Sequence, residues 1–552
     1  MENQNPVVYF SAEFGIDNNL PTYSGGLGIL AADILNEAAN QEFPMIGIGI
    51  LYKGKEYIQH ITSDGKMETR DSDFDHDSSF LRPAMIDGKP IVIQIELGNY
   101  KVLAKAYKIR LSQKVILYFL SSDVDTNPPE WISDMDTLYG GDTNSQIRQQ
   151  ILLGIGGIKL IKSLGIKPSV YHINEGRPCF IVWELISDLM KNQNMSYPEA
   201  LETIKEKIVY TNHTLVPAAN LTYHVSEIEN WAAHFARAMG VNTYFLIKEG
   251  LIDNETFSIT KYALNVSKIQ SAVSKIHGEY CKNKWPEYNW IAITNGVQMN
   301  RWQDSDFRKS NLTDRQIWDL HMIKKRELER TVVKRTGIGY DPERLVIVWA
   351  RRLADYKQPE IIFTNLEKIK SILKNPLMPI QLLFAGNSHT GDNKAKSIIE
   401  SIIKLFSTEL HGHAIFIPNY NISLANHLVS GSDVWLNTPQ GNLEACGTSG
   451  MKAIANGVLQ CTVLDGWTHE VNWEDFGWIL DQKNIAESFY DVLENKIAPI
   501  YYQRDTSGIP NEWIKKMRKS INVAKNFSTT RMLKEYIDFL YKPIDPNLTT
   551  SL

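Results

Sequence analysis

A chain of 552 residues with 43% hydrophobic and 22% charged residues is long enough to bury large cores and has the composition of a soluble globular protein. Its formal net charge of −5 excludes a general nucleic-acid binder while leaving a local basic pocket open. The four cysteines, Cys179, Cys281, Cys446 and Cys461, form neither a Cys-x-x-Cys pair nor a zinc pattern with histidine, so reduced thiols, no metal and a cytoplasmic setting are expected.

The opening residues, Met1-Glu2-Asn3-Gln4-Asn5-Pro6, lack the basic and apolar regions of a signal peptide, and no apolar run reaches membrane-spanning length. A β-type run over 7–10 is followed by Ser24-Gly25-Gly26-Leu27-Gly28 and an apolar helix over 29–39. Strand, glycine loop and helix together present backbone N–H groups to an anion, although close helix packing accounts for such glycines equally well. Alternating runs over 91–97, 102–111 and 115–120, separated by tight turns, predict antiparallel hairpins inserted in the first domain.

Thr137-Leu-Tyr-Gly-Gly-Asp precedes an amphipathic helix over 145–164, whose stripe of Ile147, Ile151, Ile155, Ile158 and Ile161 belongs to a core. The strand over 169–173 delivers His172-Ile-Asn-Glu-Gly-Arg-Pro, a polar cluster at the end where α/β proteins bind ligands. Val209-Tyr-Thr-Asn-His-Thr repeats this arrangement, and a lone His213 after a strand is more often structural than catalytic. A further strand ends in Asn295-Gly296, which turn chemistry alone explains, with Trp302 shortly after.

A charged helix over 314–334 leads into the second half. There, strands over 345–350, 380–385, 414–418, 433–436 and 461–464 are separated by helical stretches over 359–373, 394–405 and 422–428. This alternation predicts a parallel, doubly wound sheet. At the end of its first strand stands Arg351-Arg352-Leu-Ala-Asp-Tyr356-Lys357, either a solvated face or an anion clamp. Helices over 486–495 and 512–527 and a final capped helix close the chain.

The most informative stretch is 443–465. Gly447, Thr448, Ser449 and Gly450 form a small-residue turn able to aim successive N–H groups at one anion, and a helix is expected over 451–456. Lys452 lies just beyond the turn and Glu444 just ahead of it. Phosphate and amine in one site suggest a phosphorylated aldehyde. A nucleotide P-loop fails here, because Met451 separates Gly450 from Lys452 and Ala453 stands where the magnesium-binding hydroxyl is needed.

Residues 444–457 resemble the pyridoxal-phosphate attachment segment of the α-glucan phosphorylases, the glycogen, starch and maltodextrin phosphorylase family, in its short bacterial and archaeal form. The resemblance implies two Rossmann-like doubly wound domains facing across a cleft (GT-B type): 1–300, with the β insertion about 65–121, and 301–552, with a final helix leaning back on the first. It implies pyridoxal 5'-phosphate tied to Lys452, with Thr448, Ser449, Gly450, Arg351, Lys357, Trp302 and Tyr420 around the cofactor. Arg352 and the amide of Gly26 fall where the family holds substrate phosphate, and Lys357 close to both phosphates. The main-chain carbonyl of His213 falls beside the glucosyl unit, and Asn295, Glu444, Cys446 and Gly447 at sugar hydroxyls.

The implied reaction is phosphorolysis of terminal α-1,4-glucosyl units to α-glucose 1-phosphate with retention. Its partners are inorganic phosphate and an α-1,4-glucan (maltodextrin, glycogen or starch), without nucleic acid or membrane, and a homo-oligomer is left open. Departures from the family pattern stand at Arg177, where a histidine is usual, at Asn421, where a cation is lost, and at Cys446, where serine is usual. A retaining nucleotide-sugar glycosyltransferase is the alternative enzyme, but its second glutamate would fall at Lys452 itself. A catalytically silent glucan-binding protein would lose the clamp that Arg352, Lys357 and Lys452 preserve.

Overall fold

A computed structural model describes residues 5–74, 80–216, 220–309, 311–388 and 391–549. The chain divides into two compact units, one of Met1–Lys55, Ser72–Thr294 and Met532–Leu552, the other of Glu56–Asp71 and Asn295–Arg531.

In the first unit, parallel strands lie in the order Trp290–Ala292, Ile269–Ala272, Ile208–Thr211, Val170–Asn174, Val7–Ser11, Met45–Ile50 and Val115–Ser121. Tyr100–Arg110 extends the sheet antiparallel and carries Arg82–Pro83 and Val92–Leu97. The hairpin run is therefore continuous with the main sheet, because Val115–Ser121 pairs antiparallel on one edge and parallel on the other.

Val7–Ser11 is buried throughout and sends alternate side chains to two cores, as a strand covered on both faces must. Val7 and Tyr9 pack with Leu30, Ile34 and Leu35 of the helix Gly26–Asn40. Val8 and Phe10 pack with Ile147, Ile151 and Ile155. The helix expected over 145–164 is Thr143–Ile151 and Gly157–Ser163 joined by a π turn, Leu152–Gly156. The glycines here are required by packing: a Cβ on Gly154 would sit 2.8 Å from the Ile181 nitrogen, and one on Gly157 would sit 2.5 Å from Phe10, so helix and neighbours approach more closely than any side chain permits.

Met532, Leu533, Tyr536, Leu540 and Tyr541 share the core of Val7 and Tyr9. Tyr541 also meets His172 Nδ1 at 2.8 Å, while His172 Nε2 meets Thr211 Oγ1 at 2.7 Å. His172 is a fully buried structural histidine whose pKa burial pushes down to about 3.

The second unit holds a parallel sheet ordered Ala414–Ile417, Ile380–Ala385, Leu345–Ala350, Val434–Asn437, Leu459–Val463 and Gly477–Leu480. Residues 56–71 pack here as the hairpin Ile58–Ile61 and Met67–Arg70, with Gln59 Nε2 donating to Ser388 O at 2.5 Å. The long helix Asp314–Thr336 opens on a Thr313–Gln316 capping box and stops at Gly337, φ +72°. Its fully buried Lys325 donates to Asp433 Oδ2 (2.6 Å), Tyr501 OH (2.5 Å) and the Arg344 carbonyl (2.7 Å). Among the described residues no helix is long and apolar enough to cross a membrane.

Candidate active site

In the second unit, strand order reverses between Leu345–Ala350 and Val434–Asn437, and ligands of open α/β sheets bind at the carboxyl ends of such strands. Arg351 follows the first of these strands directly, and the loop after the second carries Glu444. Lys357 Nζ donates to Glu444 Oε2, and Arg351 Nη1 reaches the same oxygen at 3.4 Å. Burial pushes the Glu444 carboxyl up, but the charges of Lys357 and then Arg351 outweigh it and hold the group below the ordinary glutamate range. Arg351 Nη2 also donates to Ser449 Oγ at 3.3 Å, and Trp435 Nε1 meets that hydroxyl at 3.3 Å. Arg351 Nε is buried without a hydrogen-bond partner. Arg352, in contrast, is exposed.

The helix expected over 451–456 is Ser449–Ala455. Gly447 alone is left-handed (φ +81°), Thr448 is the cap, and Ser449 and Gly450 are helical, so the turn is shorter than the four small residues suggest. Gly450 serves packing, since a Cβ there would meet Gln460 Oε1 at 2.8 Å and Trp467 at 3.0 Å. Lys452, 8% exposed, places Nζ 3.8 Å from the centroid of the Trp302 ring, itself 2% exposed. Asn456 Nδ2 donates to the carbonyls of Trp302 (2.8 Å) and Lys452 (3.0 Å), fixing their backbones together.

Around this centre, Asp465 Oδ2 accepts from the amides of Leu443 (3.1 Å) and Glu444 (2.9 Å). The Cys446 carbonyl accepts from Trp467 N at 3.2 Å, and burial raises the pKa of its thiol, which marks it as an inert filler. Asn295 is buried with Oδ1 unpartnered, and its carbonyl accepts from Arg531 Nη2 at 3.0 Å. The Tyr420 backbone is clamped by Asn387 through two bonds of 2.9 Å. Arg335 Nη2 donates to Asn421 Oδ1 at 3.0 Å, so a cation reaches this position from the helix Asp314–Thr336.

In the first unit the order reverses between Val7–Ser11 and Val170–Asn174. Glu13, just past one strand, accepts through Oε2 from the amides of Ser24 (2.8 Å) and Gly25 (3.0 Å), and through Oε1 from Tyr139 OH (2.5 Å). Gly26 begins its helix facing open space, where a Cβ would meet no atom within 4 Å. Glu175, just past the other strand, is left-handed (φ +67°) and accepts from the His213 amide. His213 Nε2 meets Asn174 Oδ1 at 2.5 Å. Burial raises Glu175 to about 7 and lowers His213 to about 3, so this imidazole is neutral at working pH.

Arg351, Lys357, Glu444 and Ser449 are thus joined by hydrogen bonds and ion pairs in the second unit, and Lys452 packs on Trp302 from the helix that Ser449 opens. In the first unit Gly26 lies past the switch-point strand Val7–Ser11, and His213 follows the neighbouring strand Ile208–Thr211. Sequence reading passed over Glu13, Tyr139, Trp435, Asn456 and Asp465. Each acts by holding a neighbour's backbone, hydroxyl or, for Tyr139, carboxylate, a role without a motif, although Glu13 does follow the end of a buried strand.

A family model for carbohydrate phosphorylase matches residues 161–254 and 298–476. The chain is 33% identical to a maltodextrin phosphorylase of Thermococcus litoralis, across 98% of this chain and 70% of that protein. It is 32% identical to a glycogen phosphorylase of Aquifex aeolicus, across 98% and 86%, and 28% identical to one of Mycobacterium tuberculosis, across 97% and 71%. With the lysine, the paired cations and the parallel sheets already in place, these likenesses put the chain in the carbohydrate phosphorylase family, glycosyltransferase-type enzymes of the glycogen phosphorylase kind.

Proposed function

We propose that the protein is a pyridoxal-phosphate-dependent α-glucan phosphorylase that releases terminal α-1,4-glucosyl units of maltodextrin, glycogen or starch as α-glucose 1-phosphate with retained configuration. The observation that carries this reading is the amine of Lys452, buried against Trp302 on the helix whose first residue, Ser449, bonds Arg351. The residues fit the cofactor: a buried lysine suits its aldehyde, and the unpartnered Arg351 Nε with the ammonium of Lys357 suits its phosphate. When bound, pyridoxal phosphate supplies a second phosphoryl group able to exchange a proton with orthophosphate.

In the reaction the C1–O4 bond breaks, a phosphate oxygen bonds C1, and the phosphate proton passes to the departing O4. Close phosphates repel, so cations must hold them, and Arg351, Lys357 and the exposed Arg352 supply three charges. The Glu444 carboxylate balances Arg351 and Lys357 and offers a sugar hydroxyl an acceptor. A carbonyl dipole at His213 stabilises positive charge developing at C1 without titrating, consistent with an imidazole held neutral.

The test is turnover by protein loaded with pyridoxal phosphate. Maltodextrin and inorganic phosphate should give α-glucose 1-phosphate, and omitting phosphate should abolish release. A β-anomeric product, or glucosyl transfer from a nucleotide sugar with no phosphorolysis, would overturn the reading.

A further inference from the structure

Tyr139 belongs to Thr137-Leu-Tyr-Gly-Gly-Asp, a motif with no part in the chemistry above. It is an aromatic residue held at φ +62°, a conformation that bulky side chains rarely adopt and that persists only where its surroundings impose it. Its hydroxyl donates to Glu13 at 2.5 Å, and burial together with the Glu13 charge keeps that phenol protonated. Glu13 spends its other oxygen on the amides of Ser24 and Gly25, directly before Gly26. The other face of the relay carries Arg177, whose guanidinium carbon lies 4.3 Å from the Tyr139 ring centroid.

We propose that Tyr139 and Glu13 are positioning residues for inorganic phosphate. Glu13 occupies the first two amides of the glycine loop and so fixes where the Gly26 amide and the start of its helix point, and Tyr139 fixes Glu13. Arg177, where the family resemblance gives histidine, braces the ring that makes this possible. The inference rests on phosphate being the substrate that meets this loop. It adds residues that touch no substrate yet set the loop's affinity.

The experiment compares the wild-type holoenzyme with Tyr139→Phe, which keeps the ring under Arg177 and removes only the hydroxyl, with Glu13→Gln, and with the double variant. Phosphate KM and the calorimetric Kd for inorganic phosphate should each rise about tenfold in Tyr139→Phe, the effect of losing one hydrogen bond to a charged group. Maltodextrin KM should stay within about twofold. Because the two residues act in series, the double variant should match Glu13→Gln alone. Unchanged phosphate constants in Tyr139→Phe, equal rises in both substrates' KM, or additive effects in the double variant would overturn the inference. If wild type binds phosphate but forms no glucose 1-phosphate, the proposed function fails while the phosphate Kd series still decides this point. If wild type binds no phosphate, both fall.

Discussion

The Nζ of Lys452 stands 3.8 Å above the Trp302 ring, and Asn456 bonds both backbones, so the two residues are tied together at their main chains as well as at amine and indole. A lysine so enclosed has little rotamer freedom left to lose when its amine is engaged.

Trp302 should therefore control cofactor retention. Trp302→Phe keeps a ring face beneath the amine and Trp302→Ala removes it, a contact worth about 1–2 kcal/mol in a desolvated site. Absorbance titration with pyridoxal phosphate should rank affinity as wild type, then Phe, then Ala, with Ala weaker by about tenfold or more. Equal affinity across the series would show that the indole has no part in holding the lysine.

The Arg351–Glu444–Lys357 cluster and exposed Arg352 should separate stability from activity. Lys357→Met leaves the Glu444 carboxylate buried with one distant guanidinium, a loss of about 3 kcal/mol in denaturant melts, along with activity. Arg352→Ala removes an exposed side chain and should leave the melt within about 0.5 kcal/mol while raising phosphate KM. A destabilised Arg352→Ala, or one with unchanged phosphate KM, would contradict the division of labour drawn here.

Glu175 gives a signed pH dependence. The unfolded chain releases this proton near the ordinary value of 4.5 and the folded chain near 7, so between those values the folded state binds more protons and stability falls as pH rises. The contribution is complete below pH 4.5 and gone above about 7. His172 and His213, pushed down to about 3, act oppositely, costing stability as pH falls below the ordinary 6.5. Melting temperatures of Glu175→Gln should therefore decline less than those of wild type from pH 5 to 8. Parallel curves would remove Glu175 as the titrating group.

The fold was legible where periodicity was strong. The run expected over 345–350 is a strand with those bounds, and the helix expected over 314–334 is Asp314–Thr336. Strand Gly477–Leu480 escaped notice because four residues are too short to show a period, and the hairpin at 58–70 because its strands are both short and partly polar. The π turn at Leu152–Gly156 is invisible to an isoleucine stripe, since the apolar residues keep facing the core through it. At the site, Gly450 read as a turn residue is a packing residue, and the left-handed backbone of Tyr139 and Glu175 has no signature in residue type.

Lys325 and Asp433 make a test of the scaffold away from the chemistry. Both side chains are fully buried, and Asp433 also accepts from His321 Nε2 at 2.7 Å and from the Val346 amide at 2.7 Å. Removing one member strands a buried charge, so Lys325→Met should cost about 3–5 kcal/mol in denaturant unfolding. A cost below about 1 kcal/mol would mean that Asp433 finds its compensation elsewhere.

The central claim is the identity of one amine. Purified protein loaded with pyridoxal phosphate, reduced with borohydride and mapped by peptide mass spectrometry should carry the pyridoxyl group on Lys452 and lose it in Lys452→Ala. Label on a different lysine, or none on the wild-type chain, would contradict the account.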